Sequence, residues 1–400
     1  PNPFPVSIPQ YLMRYSLFPA CATTALLLSL SSQVLAAEPT GGAADHHQPL
    51  DTRTAVVDLA ALSDMKQLIE KLASKRVIFV GETHDRFEDH LNQLAVIEGL
   101  HNLEKEFAIG MEFFQQPFQP HLDAYVAGEI SEQELLRRTE YFERWRFDYR
   151  LYRPILSYAR EHGIPLVALN LEREITEKVG DGGIESLSEE ERARIPAEID
   201  REDERYRQRV KTVFEHHPMA KEKNFEHFLD VQLLWDEGMA DRAAAYLREH
   251  PEKSMVVLAG SGHLEYGQGI PKRLLRRVPS ESVILLSGTH RGLDKDMADF
   301  LLYPQPVALP ESGLLGVMLD IETEGEGISV QGFADPSGAK DAGMEEGDRI
   351  VKVGENPIGS YSDIRIALLG STPGQKLQVQ VSRAQLVGEN ERLTFEVELH

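Results

Sequence analysis

The sequence contains a single cysteine, Cys21, in 400 residues, and it is short of positive charge. Cys21 lies before most of an apolar run, a position that does not fit a lipoprotein cleavage site. Without Cys21 the chain has no thiol, which excludes disulfides, thiolate catalysis and cysteine-bound zinc. Lys plus Arg number 42 against 65 for Asp plus Glu, so the formal net charge is −23. A surface of this charge repels phosphate backbones, and we expect no nucleic-acid partner.

The apolar run belongs to a segment with the pattern of a secretory signal. Arg14 precedes the apolar residues 22–30, and the small residues Ala36 and Ala37 stand at the position of a signal cleavage site. We therefore expect residues 1–37 to be a signal segment and the protein to be periplasmic, with an uncleaved membrane anchor as the alternative. Residues 38–63 have the composition of a flexible leader.

Short apolar runs alternate with charged helical patterns between residues 64 and 291. The apolar runs occupy residues 77–80, 107–111, 164–169, 255–259 and 283–286. This alternation predicts an α/β domain with a mostly parallel sheet and helices on both faces. A helical insertion interrupts the pattern between about residues 172 and 250, and its section 189–209 is charged enough to predict a solvated helical arm.

The composition changes after Arg291. Pro304, Pro306 and Pro310 disfavour continuous helix and central strand, so residues 292–311 are predicted to be a stiff linker. Residues 312–400 combine short alternating strands with glycine turns and one helical stretch near residues 361–369. We therefore expect a small β-rich second domain.

Polar side chains collect where the predicted parallel strands end. Glu82 and His84 follow the first run, Glu112 follows the second, and His263 follows the fourth. Ligands of open parallel sheets bind at the carboxyl ends of the strands, so we expect these four side chains to converge. Two carboxylates and two imidazoles can bind a divalent metal, transfer protons or anchor a cofactor. The alternative is that each residue is a helix cap or a surface group.

A second cluster of candidate residues is aromatic and basic. Trp145, Arg146, Tyr149 and Tyr152 lie close together in the sequence. Such a stripe is typical of core packing with arginines that reach the surface. The functional interpretation is a flat apolar ligand between aromatic walls, with arginine on its acidic groups and a tyrosine oxygen on iron.

Together, these motifs resemble the ChaN family of haem-binding uptake proteins, within a group that includes Tiki-type proteases and erythromycin esterases. The similar residues, which span roughly 64–290, are Gly81-Glu82-Thr83-His84-Asp85, Gly110-Met111-Glu112-Phe113, Gln232-Leu233-Leu234-Trp235-Asp236 and Gly260-Ser261-Gly262-His263 with Tyr266. The resemblance implies a membrane-associated or periplasmic haem-binding protein with a tyrosine iron ligand, and a homodimer that brings two haems face to face. Tyr149, Tyr152 and Tyr266 are the candidate iron ligands, with His263, Trp145 and Arg146 as further haem contacts.

The second domain resembles a bacterial PDZ domain. The peptide-binding loop would be Gly313-Leu314-Leu315-Gly316-Val317, and the similar core runs from Ala339 to Gly354. In such domains backbone N–H groups bind a peptide carboxylate and the peptide adds a strand to the sheet edge. The resemblance implies a partner among envelope or membrane proteins. The alternative is a module that only packs on the first domain or dimerises it.

Three functions follow from these patterns. The first is a haem-binding protein that the PDZ module docks to an envelope partner. The second is a metal-dependent hydrolase, an esterase or a protease, in which Glu82, His84, Glu112 and His263 are both metal ligands and catalytic residues. The third is an adaptor without ligand chemistry, which the gathering of carboxylates at the strand ends argues against.

Overall fold

A computed structural model describes residues 57–216, 224–289, 291–321, 325–385 and 389–400. The predicted signal segment 1–37 and the leader up to residue 56 lie outside these ranges. The α/β domain and the C-terminal domain belong to one compact unit, Ala55–His400. In the described residues no helix has the length and apolarity needed to cross a membrane.

The first domain is built on a six-stranded sheet in which every pairing is parallel. Its strands are β1 (Val77–Glu82), β2 (Phe107–Gln115), β3 (Leu166–Asn170), β4 (Ser254–Gly260), β5 (Ser282–Ser287) and β6 (Phe300–Leu302). Their order is β3-β2-β4-β1-β5-β6. The carboxyl ends of β2, β4 and β1 are therefore neighbours at one edge.

Helices cover both faces of this sheet. In the described chain the α-helices of this domain are α1 (Met65–Leu72), α2 (Phe87–Asn102), α3 (Gln119–Val126), α4 (Glu132–Arg138), α5 (Tyr141–Arg144), α6 (Tyr149–His162), α7 (Arg173–Gly182), α8 (Glu189–Arg192), α9 (Glu204–Glu215), α10 (Phe225–Glu249) and α11 (Ile270–Arg277). Alternate residues of β1 point to opposite faces of the sheet. Ile78 and Val80 pack with α1 to α6, whereas Val77 and Phe79 pack with α10 and α11. Burial of each such side chain contributes about 1.5–3 kcal/mol. The predicted architecture is confirmed.

Two parts of the α/β domain differ from the sequence-based expectation. Strand β6 falls inside the predicted linker 292–311 and pairs with β5, so part of that segment is the edge of the sheet. An edge position suits a strand only three residues long with prolines after it. The charged arm 189–209 is also not simply solvated, because Tyr206 of α9 is buried against α10.

The C-terminal domain is a small antiparallel sheet, as expected, and its described residues form two short helices where the sequence indicated one. Its strands are β7 (Val317–Asp320), β8 (Ile328–Phe333), β9 (Arg349–Val353), β10 (Asn356–Pro357), β11 (Lys376–Arg383) and β12 (Glu391–Glu398), with α12 (Gly338–Asp341) and α13 (Tyr361–Ala367). The order β12-β11-β9-β8-β7 leaves β7 at an edge, and β10 pairs with β9. The predicted helix near 361–369 corresponds to α13, which the side chain of Ser360 caps at its first turn.

Candidate functional site

The structure brings together the four polar residues that the sequence placed at strand ends. Glu82 is the last residue of β1, Glu112 lies in β2, and His84 and His263 follow β1 and β4. Ligand atoms of Glu82, His84 and Glu112 all lie within 4.8 Å of one another. The convergence arises because β1 and β2 both pair with β4 in parallel register.

Glu82 and His84 form a close pair. The Nδ1 atom of His84 lies 2.5 Å from Oε1 of the buried Glu82 carboxyl group. Burial lowers the pKa of His84, but the hydrogen bond and charge of Glu82, with a contribution from Glu112, raise it above its ordinary value of 6.5. The imidazole keeps 29% of its side chain exposed, and Nε2 has no hydrogen-bond partner in the described residues. Nε2 is therefore the nitrogen available to a ligand.

Glu112 is fixed from both sides. Its Oε2 atom accepts a 2.6 Å hydrogen bond from the backbone N–H of Gly260, and its Oε1 atom lies 3.4 Å from Nε2 of His263. Glycine at position 260 leaves room for His84, since a Cβ atom would lie 2.9 Å from Cε1 of that imidazole. The polypeptide of β4 thus approaches the cluster closely and positions one of its carboxylates.

His263 lies at the head of a hydrogen-bonded chain that the sequence did not predict. Its Nδ1 atom is 2.7 Å from Oδ1 of Asp236 in α10, and the hydroxyl of Tyr206 donates to Oδ2 of Asp236 at 2.6 Å. Burial lowers the pKa of His263, but the carboxylates of Glu112 and Asp236 raise it to about 9. The imidazole is therefore protonated at neutral pH, with carboxylates on both of its nitrogens.

Asp236 and Tyr206 are the site residues that sequence reasoning missed. Asp236 belongs to the motif Gln232-Leu233-Leu234-Trp235-Asp236, but nothing in its spacing connects it with His263. Tyr206 lies in the section 189–209, whose high charge predicts a solvated helical arm. The helical spacing of Tyr206, Val210 and Phe214 is the sequence signal that indicates a buried face.

Aromatic rings wall the open side of His84. The rings of Trp145 and Phe147 have centroids 4.9 and 4.8 Å from the His84 imidazole. Between them Arg146 is exposed and adopts a left-handed backbone conformation with φ of 69°. Two apolar faces therefore line the open side of His84, and an exposed cation stands between them in the sequence. This arrangement suits a flat ligand that carries acidic groups.

The three candidate tyrosines do not occupy equivalent places. Tyr149 and Tyr152 are fully buried, and the Tyr149 hydroxyl donates to Glu132 at 3.0 Å. Burial raises the pKa of both hydroxyls well above the ordinary value of 10.0, and their rings pack in the core of the domain. This geometry argues against both as iron ligands, because an iron ligand must be reachable and deprotonated. Tyr266 is only partly buried, and its pKa is raised by burial and then by Asp294.

Several buried polar atoms at this edge of the sheet lack a hydrogen-bond partner in the described residues. They are Oε2 of Glu82, Oγ of Ser261, Oδ1 of Asn170, Oγ of Ser287 and Nε1 of Trp145. Buried polar groups are normally satisfied by protein, by water or by a ligand. Three carboxyl groups face two imidazoles, so the cluster has the charge and the oxygen and nitrogen donors to bind a cation. It also has the acid–base pairs needed for proton transfer.

The predicted peptide-binding loop lies beside the unpaired edge of β7. The N–H groups of Gly313 and Leu314 donate to the carbonyls of Ser371 and His400, which leaves those of Leu315 and Gly316 for a carboxylate. Gly316 has φ of 74°, a conformation that favours glycine. The Leu314 side chain is 53% exposed, and the loop continues into β7 through Val317.

The protein is therefore a two-domain α/β protein. Its first domain carries a carboxylate–imidazole site at the strand ends, and its second is a small antiparallel module. Residues 68–274 match the model of the family described as haem-binding uptake, Tiki superfamily, ChaN. The chain belongs to this family. Residues 313–399 match the PDZ domain and form one.

The chain is also similar to individual proteins. The protein RETICULATA-RELATED 5, chloroplastic, of Arabidopsis thaliana is 25% identical over 277 residues, which are 61% of this chain and 36% of that protein. A structure of cofacial haem binding to ChaN of Campylobacter jejuni is 19% identical, covers 60% of this chain and 92% of that chain, and has a TM-score of 0.49. An erythromycin esterase EreC variant is 16% identical, covers 67% and 78% of the two chains, and has a TM-score of 0.34.

Proposed function

We propose that this protein is an exported haem-binding protein of the cell envelope that handles haem or takes part in its uptake. The observation that carries the proposal is that the family match spans the strand-end site, from Glu82 to His263. Export is supported by the signal pattern of residues 1–37.

The mouth of the site fits haem. Trp145 and Phe147 supply apolar faces, Arg146 supplies a cation for a propionate, and Nε2 of His84 supplies an iron ligand. Haem, when bound, provides an iron with ligand-exchange and redox chemistry. The carboxyl group of Glu82 orients the His84 imidazole and increases its basicity, as carboxylates do behind ligating histidines. Tyr266 is the tyrosine that remains as an alternative ligand.

The PDZ domain docks this haem-binding domain to a partner. The exposed edge of β7 and the N–H groups of Leu315 and Gly316 favour an extended peptide with a free carboxylate. We propose that the peptide belongs to an envelope or membrane protein.

A haem titration of the full chain, followed in the Soret region, tests the proposed function. A saturable band that is unchanged by Tyr149→Phe and Tyr152→Phe is expected, because both hydroxyls are buried. Loss of binding in either of those variants, with their folds intact, would restore a buried tyrosine as the ligand. Absence of a saturable band in the wild-type chain would reject haem binding.

A second function, metal-dependent hydrolysis, is favoured by one specific observation: ligand atoms of three residues lie within 4.8 Å. A divalent metal would be held by Glu82, His84 and Glu112, and it would supply Lewis acidity to a carbonyl substrate. The protonated His263, held by Asp236, would donate a proton to the leaving group.

Calorimetric titration with Zn²⁺ and Mn²⁺, followed by assays of ester and peptide hydrolysis, tests this second function. Glu112→Gln should abolish both metal binding and turnover. Metal binding without hydrolysis of either substrate would mean that the ion is structural and would reject the hydrolase function. Since both functions use the His84 imidazole, Zn²⁺ and haem should also compete for the site.

A further inference from the structure

One segment of the α/β domain contacts both the candidate site and the PDZ domain. This bridging segment, residues 141–148, contains α5 and ends at Asp148, which caps α6. Left-handed residues, Glu140 with φ of 49° and Arg146 with φ of 69°, flank α5. Non-glycine residues adopt that conformation only when the surrounding contacts hold them there.

The inner side of the bridging segment forms the wall of the site. Trp145 and Phe147 are the two rings that contact His84. Trp145 also faces the ring of Phe113 in β2 at 6.1 Å. The position of this segment therefore determines how far the His84 imidazole is open to solvent and to a ligand.

The outer side of the bridging segment packs against helix α13 of the PDZ domain. The guanidinium of Arg365 lies 5.1 Å from the centre of the Phe142 ring and 3.7 Å from Oδ2 of Asp148. The hydroxyl of Ser362 donates to the carboxylate of Glu143. These contacts join α13 to residues 142, 143 and 148 of the bridging segment.

Further contacts extend this attachment on both sides. Ile366 of α13 is buried in the core cluster of the α/β domain rather than in that of the PDZ domain. Asp363 pairs with Arg137 at 3.2 Å, and Arg150 donates to the carbonyl of Pro310, just before the peptide-binding loop, at 2.6 Å. The helix and the loop that frame the predicted peptide groove are therefore both attached to residues 137–150.

We propose that helix α13 of the PDZ domain braces the aromatic wall of the strand-end site, so that a displacement of α13 releases Trp145 and Phe147 from His84. A peptide bound in the groove beside α13 would then change the exposure of His84 through the bridging segment. Because coupling between two sites is reciprocal, a ligand at His84 would change peptide affinity by the same factor. The proposal does not depend on which ligand the α/β site binds.

Tryptophan fluorescence tests this proposal directly, since the chain has two tryptophans and Trp235→Phe leaves Trp145 as the sole probe. Arg365→Ala and Ile366→Ala would each be introduced into the full-length Trp235→Phe chain. Acrylamide quenching of Trp145 and hydrogen exchange would then be measured in both variants. We expect the quenching constant of Trp145 to rise by about twofold, together with faster exchange in residues 141–148, because local opening increases exposure.

Arg392→Ala is the matched control, because Arg392 pairs with Glu326 on the exposed surface of the same domain. It should leave Trp145 unchanged. If exchange in α13 accelerates in both test variants while Trp145 and residues 141–148 stay as protected as before, the proposal is wrong. Unchanged exchange in α13 in both variants would equally contradict it, because the bracing contacts would then carry no energy. Two variants are used so that one that fails to fold does not decide the outcome.

Discussion

The two domains differ in where they place charge. In its described residues the α/β domain buries six acidic residues, Glu82, Asp89, Glu112, Asp230, Asp236 and Glu237, whereas Asp348 is the buried acid in the described part of the PDZ domain. Burial of a carboxylate is costly unless it is paired, so a domain rarely collects such groups for stability alone. The buried carboxylates of the α/β domain include the three of the strand-end site, Glu82, Glu112 and Asp236, while the PDZ domain offers backbone groups at a sheet edge.

The largest effect on stability is expected from breaking a buried ion cluster of the α/β domain, in contrast to breaking an exposed ion pair of the PDZ domain. Glu237 is completely buried with Arg273, and Arg276 and Arg277 also contact its carboxylate. Glu237→Ala leaves Arg273 buried without a carboxylate and should lower the free energy of unfolding by about 3–5 kcal/mol. Urea denaturation measures the change. Arg392→Ala, in the exposed PDZ pair, should leave the midpoint unchanged, and equal losses in both variants would remove the contrast between the domains.

The pH dependence of stability should reveal the buried imidazolium of the α/β domain. Since the folded pKa of His263 is about 9 and the ordinary value is 6.5, protonated His263 stabilises the fold by about 3 kcal/mol. A raised histidine pKa gives stability that is fully present below pH 6.5 and is lost as the pH rises to about 9. Urea denaturation of the metal-free chain at pH 6 and pH 9.5 measures it, with His263→Gln as the comparison. A variant that loses as much stability as the wild type over this range would contradict the assignment.

Two glycines separated by one residue sharpen the comparison within the site. Gly260→Ala places a Cβ atom 2.9 Å from His84, whereas Gly262→Ala meets nothing within 4 Å. Gly260→Ala should cost about 1–3 kcal/mol from overpacking and should weaken ligand binding at His84. Gly262→Ala should behave like the wild type in calorimetry and in the haem titration. Equal stability and equal haem affinity of the two variants would mean that the His84 side chain can move away from the added Cβ atom.

The smallest effect on stability is expected at the edge of the PDZ sheet. Met318 is exposed on β7, which is unpaired on its outer side in the described chain. Met318→Lys should change the free energy of unfolding by less than about 0.5 kcal/mol, because the side chain is at the surface. Binding to a C-terminal peptide array should nevertheless fall, since the same edge receives the peptide. Unchanged array binding would place the peptide elsewhere.

The sequence predicted the sheet and the convergence of Glu82, His84 and Glu112, because both follow from periodicity and from the common edge of parallel strands. It did not predict the contacts of His263, since Asp236 and Tyr206 reach it from helices whose packing is a tertiary property. The aromatic stripe was ambiguous for the same reason. Helical spacing does not say which ring faces the core, and Tyr149 and Tyr152 turned inward while Trp145 reached the site.

A haem titration of the full chain beside its His84→Ala variant tests the central claim most directly, namely that the carboxyl edge of the parallel sheet is the ligand site. The structure predicts a saturable Soret band in the wild-type chain and at least about tenfold weaker binding, or 1.4 kcal/mol, in the variant. Equal affinity in the two proteins would place haem away from the strand-end cluster and contradict the proposed site.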